Sequence, residues 1–197
     1  MTKHLANSGL GPERTRLNFA DAVQRAFAFL TDLGFVQVET SPTIVRYHKG
    51  DVEVDVYHGR QSYELGFEIG RDGAKYTLSE LIRIADPKTA VRYRNFVATT
   101  QSTLTEGLRS LAELIKRYGQ RALQADPEFF VALGRQRKSW VEGYALEVLE
   151  GQLRPKANKA FRQGNYREAA ELYERIRPGL TPTELRKLAI ARERSQG

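Results

Sequence analysis

The strongest constraint on the fold is a run of alternating polar and apolar residues between positions 35 and 69. Val52, Val54 and Val56 alternate with polar or aromatic neighbours. Because successive side chains of a strand point to opposite faces, this period of two predicts strands with one buried and one hydrated face. The connections, such as residues 49–51, are too short for parallel crossovers. We therefore predict an antiparallel sheet of about four strands.

Apolar residues at helical spacing lie on both sides of the predicted sheet. Before it, Phe19, Val23 and Phe27 recur every four residues and predict an N-terminal helix. After it, helical patterns continue to the end of the chain, and capping boxes at Thr77 and Thr103 mark two helix starts. The fold class is therefore α+β, with an N-terminal helix, an antiparallel sheet and a helical C-terminal half.

Three finer expectations concern single segments of this fold. Residues 70–77 are interpreted as a turn from strand to helix, since their glycines lack the spacing of a phosphate-binding loop. Trp140 falls in line with Leu133 and Tyr144 and is expected to be buried on a helix. A helix break is expected at Pro155, because proline removes a backbone donor.

The composition narrows the function classes. The chain of 197 residues contains no cysteine, which excludes disulfides, thiolate nucleophiles and cysteine-ligated metals. Residues 1–100 carry 13 Lys/Arg against 12 Asp/Glu, whereas residues 101–197 carry 18 against 12. A basic C-terminal half favours an acidic partner surface or a nucleic acid. No apolar run reaches the ~20 residues of a membrane span, so we expect a cytoplasmic protein that binds no membrane.

The last part of the chain has the pattern of a paired-helix repeat. Gly164 and Tyr166 mark a turn, Ala169 allows two helices to approach closely, and Tyr173 fills the space between them. With Ala157, Ala160 and Phe161 on the preceding helix, residues 155–194 resemble a single tetratricopeptide repeat followed by a capping helix. The resemblance departs from the family in its short first helix and in the lack of a second copy.

In such repeats the first helix commonly faces a bound peptide. The resemblance therefore implies a partner-binding set on this helix that would suit an acidic segment or a terminal carboxylate. This set consists of Arg154, Lys156, Asn158, Lys159 and Arg162. The alternative is that the helix pair only completes the helical core, with its charges in water.

The sequence predicts three segments. Residues 1–16 contain two glycines and a proline and are expected to be a flexible tail. Residues 17–150 form an α+β domain with long helices. Residues 151–197 form the tetratricopeptide-like extension packed on that domain.

Two other partner or ligand classes remain open. Arg135, Arg137 and Lys138 precede Trp140, and single-strand binders combine such cations with aromatic rings. This gives the alternative of a nucleic-acid-binding protein that uses the basic C-terminal half.

The second alternative is a metal-dependent hydrolase on the acidic face of the sheet. Glu53, Asp55, Glu64 and Glu68 alternate with apolar neighbours, and clustered carboxylates can hold Mg²⁺. Pairing of these acids with Arg46 across strands is the simpler interpretation.

No catalytic constellation, metal motif or cofactor motif accompanies these residues, so we predict no enzyme activity and no cofactor. The leading hypothesis is a non-enzymatic protein-interaction module, either an adaptor or an inhibitor of the immunity type. Its partner is expected to be a protein, and an acidic segment of that protein would suit the basic residues.

Overall fold

The computed structural model describes residues 17–195, and the tail predicted at residues 1–16 lies outside them. The chain divides into two compact units, one ending at Gly134 and the other beginning at Arg135. We call residues 17–134 the sheet unit and residues 135–195 the helical unit. The division precedes the boundary expected near residue 150, since no residue from 135 to 150 belongs to the core of the sheet unit.

The α+β class is confirmed. The described part of the chain contains the strands β1 (Val36–Ser41), β2 (Ile44–Lys49), β3 (Val52–His58), β4 (Glu64–Arg71), β5 (Ala74–Thr77) and β6 (Phe96–Val97). Its helices are α1 (Phe19–Ala26), α2 (Ala28–Asp32), α3 (Leu78–Ala85), α4 (Pro87–Arg92), α5 (Gln101–Tyr118), α6 (Gln120–Leu123), α7 (Pro127–Arg162), α8 (Tyr166–Arg175) and α9 (Pro182–Ser195).

The sheet is an antiparallel meander in the order β1-β2-β3-β4-β5, and the short β6 pairs with β4. The expectation of a simple turn at residues 70–77 is wrong, because Ala74–Thr77 forms β5 and pairs with β4. Asp72 and Gly73 supply the tight hairpin turn with positive φ angles of 52° and 80°. Four residues are too few to show a clear period of two, so this strand escapes sequence reasoning.

One face of the sheet is buried against helices α1, α3 and α5. Val54, Val56 and Ile69 are completely inaccessible to solvent there, as the alternation predicts. The other face carries the charged residues of the same strands. Register places Arg46 opposite Asp55, and Asp55 opposite Glu68, so that charged side chains of neighbouring strands meet on this face.

Capping boxes begin several helices of the chain. The box at Thr77 and Glu80 opens α3 as predicted. The long helix α5 begins slightly earlier than predicted, because Thr100 and Thr103 cap it in place of the Thr103 box. In each case a side-chain oxygen accepts a hydrogen bond from a backbone N–H that has no partner within the helix.

The helix break expected at Pro155 is wrong, because α7 continues through this residue to Arg162. The adjacent Arg154 forms an ion pair with Glu150 one turn earlier and contacts Glu184 on α9. Buried Leu153 and Ala157 lie on either side of the proline. These tertiary contacts stabilise the helix against the loss of one backbone hydrogen bond.

The helical unit has a small core that holds the end of α7 against α8 and α9. Its buried members are Ala157, Ala160, Ala169, Tyr173, Leu188 and Ala191. Small alanines allow the helices to approach closely, and Tyr173 fills the space between them. Gly164 ends α7 with a φ angle of 76°, a conformation that favours glycine.

Candidate functional site

The hydrated face of the sheet carries a network of ion pairs that joins β1, β2, β3 and β5. At its centre Arg46 donates from Nε to Asp55 at 2.7 Å and from Nη1 to Glu39 at 2.5 Å. Lys75 donates to the other oxygen of Asp55 at 2.5 Å and also contacts Glu53. We call these five residues the ion cluster. Asp55 is only 4% exposed, so both cations compensate a carboxylate that has little access to water.

Two glycines on β4 make room for this arrangement. A Cβ atom at Gly70 would approach Lys75 Cγ to 3.0 Å, because the lysine side chain crosses over the glycine towards Asp55 and Glu53. A Cβ atom at Gly66 would lie only 2.1 Å from Tyr57 Cζ, because the tyrosine ring covers that position. The bare backbone of β4 therefore forms the floor over which the two long side chains lie.

The charged forms of the ion cluster are mutually stabilised. The hydrogen bond to Asp55 raises the pKa of Arg46. Burial opposes the charge of Lys75, but the contacts with Asp55 and Glu53 outweigh it and raise the pKa of this lysine. Burial likewise favours neutral Glu53, yet hydrogen bonds from Lys75 and His48 outweigh it and lower the pKa of Glu53. Arg46, Lys75 and Glu53 therefore stay ionised at neutral pH and are not poised to exchange protons.

The four acids named in the sequence alternative do not gather around a common point. Glu53 and Asp55 belong to the ion cluster, Glu68 lies beside Tyr57, and Glu64 accepts from Asn95 at 3.5 Å. Within residues 17–195 no group of three or more His, Cys, Asp or Glu residues could hold a metal ion. The side chains of Arg46 and Lys75 already lie where a bound metal ion would neutralise the negative charge of Glu53 and Asp55.

A pocket of about 150 Å³ lies beside the ion cluster, between the hairpin turns at Gly50 and Gly73. His48, Glu53 and Lys75 line one side of it. Ligand sites for small molecules usually enclose roughly 300–1,000 Å³. This pocket has room for only a few water molecules and does not resemble a substrate cleft.

His58, at the end of β3, is buried. Its Nε2 lies 2.8 Å from the carbonyl oxygen of Ala98, and its ring stacks on Phe19. The histidine therefore contributes to the core of the sheet unit. Histidine ranks among intermediate residues for burial, and its sequence context gives no signal for which side it takes.

The partner-binding set expected on α7 separates into two groups. Lys156, Lys159 and Arg162 are exposed, and we call these three residues the basic face. Among the described residues neither lysine forms an ion pair, and Arg162 donates only to the carbonyl oxygen of Asn158 one turn earlier. No acidic residue occurs in the sequence from Gly151 to Arg167. The basic face therefore projects uncompensated positive charge into solvent.

The other two members of the set hold the helical unit together. Arg154 donates to Glu150 at 2.9 Å and to the carbonyl oxygen of Gly179 at 2.6 Å, and its Nε lies 3.1 Å from Glu184. The side-chain oxygen of Asn158 accepts from Tyr173 at 2.8 Å and from Lys187 at 2.6 Å. Neither residue is available to a partner without breaking these contacts.

The segment 135–150 of α7 presents the residues of the nucleic-acid alternative. Arg135 and Lys138 are exposed, and Arg137 is partly buried. The expectation that Trp140 is buried is wrong: Trp140 is 55% exposed and Tyr144 58% exposed, and their rings stack with centroids 5.9 Å apart. An apolar stripe at helical spacing predicts burial only where a neighbouring element covers it, and the sequence does not reveal that element.

Comparison with known proteins identifies no relative of this chain. No family profile, curated protein or solved structure matches this chain. Across residues 17–195, none of the helices has both the length and the apolar character needed to cross a bilayer.

Proposed function

We propose that this chain is a non-enzymatic protein-interaction module whose helical unit binds an acidic segment of a partner protein. An adaptor or an inhibitor of the immunity type would have this property. The observation that carries the proposal is the basic face, where Lys156, Lys159 and Arg162 are exposed while their neighbours close the helical core. Cations that take no part in folding are available for electrostatic steering and binding of an acidic partner.

The distribution of charge supports this assignment. Residues 135–197 carry 14 Lys/Arg against 8 Asp/Glu, whereas residues 1–134 carry 17 against 16. Nearly all of the net charge of +7 therefore resides in the smaller unit. In addition, the first helix of tetratricopeptide repeats, which residues 155–194 resemble, commonly faces the bound peptide.

The metal-dependent hydrolase is less well supported. Its two central carboxylates, Glu53 and Asp55, are neutralised by Arg46 and Lys75. A metal ion would have to displace these cations and would leave two positive side chains beside it.

The nucleic-acid alternative is supported by Trp140 and Tyr144, whose exposed rings stack on each other beside three basic residues. The acidic residues that follow on the same helix argue against this alternative, since Glu142 and Glu147 are also exposed. A phosphate backbone that tracks along the helix would meet both signs of charge.

Fluorescence anisotropy with two labelled probes separates the candidates. One probe is a short polyglutamate peptide and the other is a thymidine single strand of about 20 nucleotides. We expect the protein to bind polyglutamate, and K156E/K159E/R162E to weaken binding by about tenfold or more. The matched control R167E/R175E/R177E changes the net charge equally on and just after α8 and is expected to weaken binding by less than about threefold.

Two results would reject the proposal. One is equal loss of polyglutamate binding in both triple variants, which would mean that net charge alone attracts the peptide. The other is tight binding of the oligonucleotide, with a steep salt dependence, where polyglutamate does not bind.

A further inference from the structure

An open groove lies on the surface of the sheet unit between the short strand β6 and the helix α5, and we call it the α5 groove. Its volume is about 640 Å³, within the range of roughly 300–1,000 Å³ that small-molecule sites enclose. Its lining residues belong neither to the ion cluster nor to the basic face. They are Phe96, Arg109, Ser110, Glu113, Leu114 and Arg117.

A buried glycine brings the two sides of the groove together. A Cβ atom at Gly107 would lie 2.6 Å from Leu65 Cδ1 and 3.2 Å from Phe96 Cβ, so only a glycine allows α5 to approach the sheet this closely. Phe96 is partly exposed, and its ring makes no contact with another aromatic ring or with a cation of residues 17–195. Together with Leu114, this ring forms an uncovered apolar floor.

The wall of the groove contains two arginines without an ion-pair partner. Arg109 and Arg117 are exposed, and in the described part of the chain neither guanidinium group forms a hydrogen bond or an ion pair. The guanidinium of Arg117 lies 5.2 Å from the ring centroid of its neighbour Tyr118, a contact that leaves its N–H groups to solvent. A guanidinium group is a planar fork of donors that matches a phosphate group.

A carboxylate lies between the two arginines. Glu113 is four residues from each of them, and residues four apart lie on the same face of a helix. Its Oε1 accepts a hydrogen bond from Lys116 at 2.9 Å, so that the lysine balances its charge and the two arginines still attract an anion. The other oxygen, Oε2, is available to accept from a hydroxyl group of a ligand.

We propose that the α5 groove binds a nucleoside diphosphate, independently of the acidic protein partner. The planar base lies on Phe96 and Leu114, the ribose hydroxyls donate to Glu113, and the phosphates pair with the two arginines. The Cα atoms of Arg109 and Arg117 are about 12 Å apart along the helix, a span that two long side chains can close over one diphosphate. An inorganic anion would leave the apolar floor uncovered, and an acidic peptide such as polyglutamate has no ring to place on it.

Calorimetric titration of the full chain with ADP tests the proposal. Because the groove is open, we expect a dissociation constant between about 10 µM and 1 mM. Adenosine and pyrophosphate should each bind at least about tenfold more weakly than ADP, since each of them makes only part of the contacts.

Variants of the two units identify the place of binding. R109E/R117E should weaken ADP binding by about tenfold or more, whereas the matched control K156E/K159E changes the charge of the basic face equally and should weaken it by less than about twofold. Phe96→Leu keeps an apolar side chain but removes the ring, and should cost about fivefold or more. Circular dichroism of each variant verifies that the fold is retained.

The role of Glu113 is tested with a second ligand, 2′,3′-dideoxy-ADP, which lacks both ribose hydroxyls. The unchanged chain should prefer ADP to this ligand by about threefold or more. In Glu113→Gln the preference should fall towards one, because the carboxylate that accepts from the hydroxyls is absent.

Three outcomes would overturn the proposal. The first is the absence of ADP binding at millimolar concentration. The second is equally tight binding of pyrophosphate and ADP with no effect of Phe96→Leu, which would mean that the arginines attract any anion. The third is equal weakening in R109E/R117E and K156E/K159E, which would mean that net charge alone attracts ADP.

Discussion

The two units of this molecule treat their charged side chains in opposite ways. In the sheet unit, Arg46 and Lys75 surround the buried Asp55, and positive and negative residues nearly balance. In the helical unit, Lys156 and Lys159 face solvent without an ion-pair partner among residues 17–195. Charges that fold a protein are paired and shielded, whereas charges that serve a partner stay exposed. This difference is the basis of the proposal that the helical unit binds the partner.

The cores of the units differ as well. The sheet unit buries a continuous cluster of mostly large apolar residues from four strands and several helices. The core cluster of the helical unit consists of four alanines, one leucine and one tyrosine, and Leu153 and Ile176 are also buried in this unit. A small core leaves the helical unit dependent on polar contacts such as those of Arg154 and Asn158.

The largest expected effect comes from removing a paired charge. Asp55→Ala leaves Arg46 and Lys75 beside an uncharged site, and we expect a loss of about 3 kcal/mol in the free energy of unfolding. The matched change in the helical unit, Lys156→Ala, should alter it by less than about 0.5 kcal/mol. Urea unfolding followed by circular dichroism measures both. Similar losses in the two variants would remove the distinction between the units.

The helical unit also contains paired charges, and the most buried of their carboxylates, Glu184, sharpens the comparison. Glu184 is 7% exposed, accepts from the backbone of Thr181 at 2.9 Å and contacts Arg154. We expect Glu184→Ala to lower the free energy of unfolding by about 2 kcal/mol, because a cap and an ion pair are lost together. Hydrogen exchange of α9 amides measures the local effect.

The control for this prediction is Thr183→Ala, which changes an exposed residue of the same helical turn. It should leave exchange in α9 almost unchanged. If Glu184→Ala had no larger effect than Thr183→Ala, the helical unit would not depend on its polar contacts.

A smaller effect is expected from the floor of the ion cluster. Gly66→Ala places a methyl group against the ring of Tyr57, which must rotate away, and we expect a loss of about 1 kcal/mol. In a Tyr57→Ser background the same substitution should cost less, because the ring is absent. A double-mutant cycle from urea unfolding gives the coupling. Additive losses would show that the ring does not occupy the glycine position in solution.

The smallest expected effects are changes in the stability of the protein at acidic pH. The pKa of Glu53 in the sheet unit and that of Glu184 in the helical unit both lie below their ordinary value of 4.5. A carboxyl whose pKa is lowered by folding stabilises the protein above that value, and this contribution is lost as the pH falls through the folded pKa. Both units should therefore lose stability in acid.

Single variants separate these two contributions. Glu53→Gln imitates the protonated side chain, so it should lower the urea midpoint at neutral pH. The difference from the unchanged chain should shrink as the pH falls from neutral into the acid range, because Glu53 itself becomes protonated below its lowered pKa. The same comparison with Glu184→Gln reports on the helical unit. A difference that is constant over this range would contradict the assigned pKa directions.

The sequence predicts the secondary structure and the buried face of the sheet better than it predicts which polar residues are exposed. The period of two identifies β2, β3 and β4, and the buried face that they share follows from the same pattern. Strand β5 is missed because four residues carry too little periodicity. The continuity of α7 through Pro155 depends on contacts of Arg154 with α9, which are distant in sequence. Local propensity does not contain this information.

The candidate site required tertiary structure for a related reason. Arg154, Lys156, Asn158 and Lys159 have the same polar character in the sequence. Only packing distinguishes Asn158, which accepts from Tyr173 and Lys187, from the lysines that point into solvent. Trp140 shows the converse case, since its spacing indicated a buried stripe and the helix leaves it exposed.

Calorimetric titration with polyglutamate, carried out on variants of both units, tests most directly whether the helical unit binds the acidic partner. K156E/K159E/R162E changes three exposed cations of the helical unit, and K88E/R92E/R109E changes three exposed cations of the sheet unit. We expect about tenfold weaker binding for the first variant and less than about twofold for the second. Equal weakening, or a greater loss in the sheet-unit variant, would contradict the assignment of binding to the helical unit.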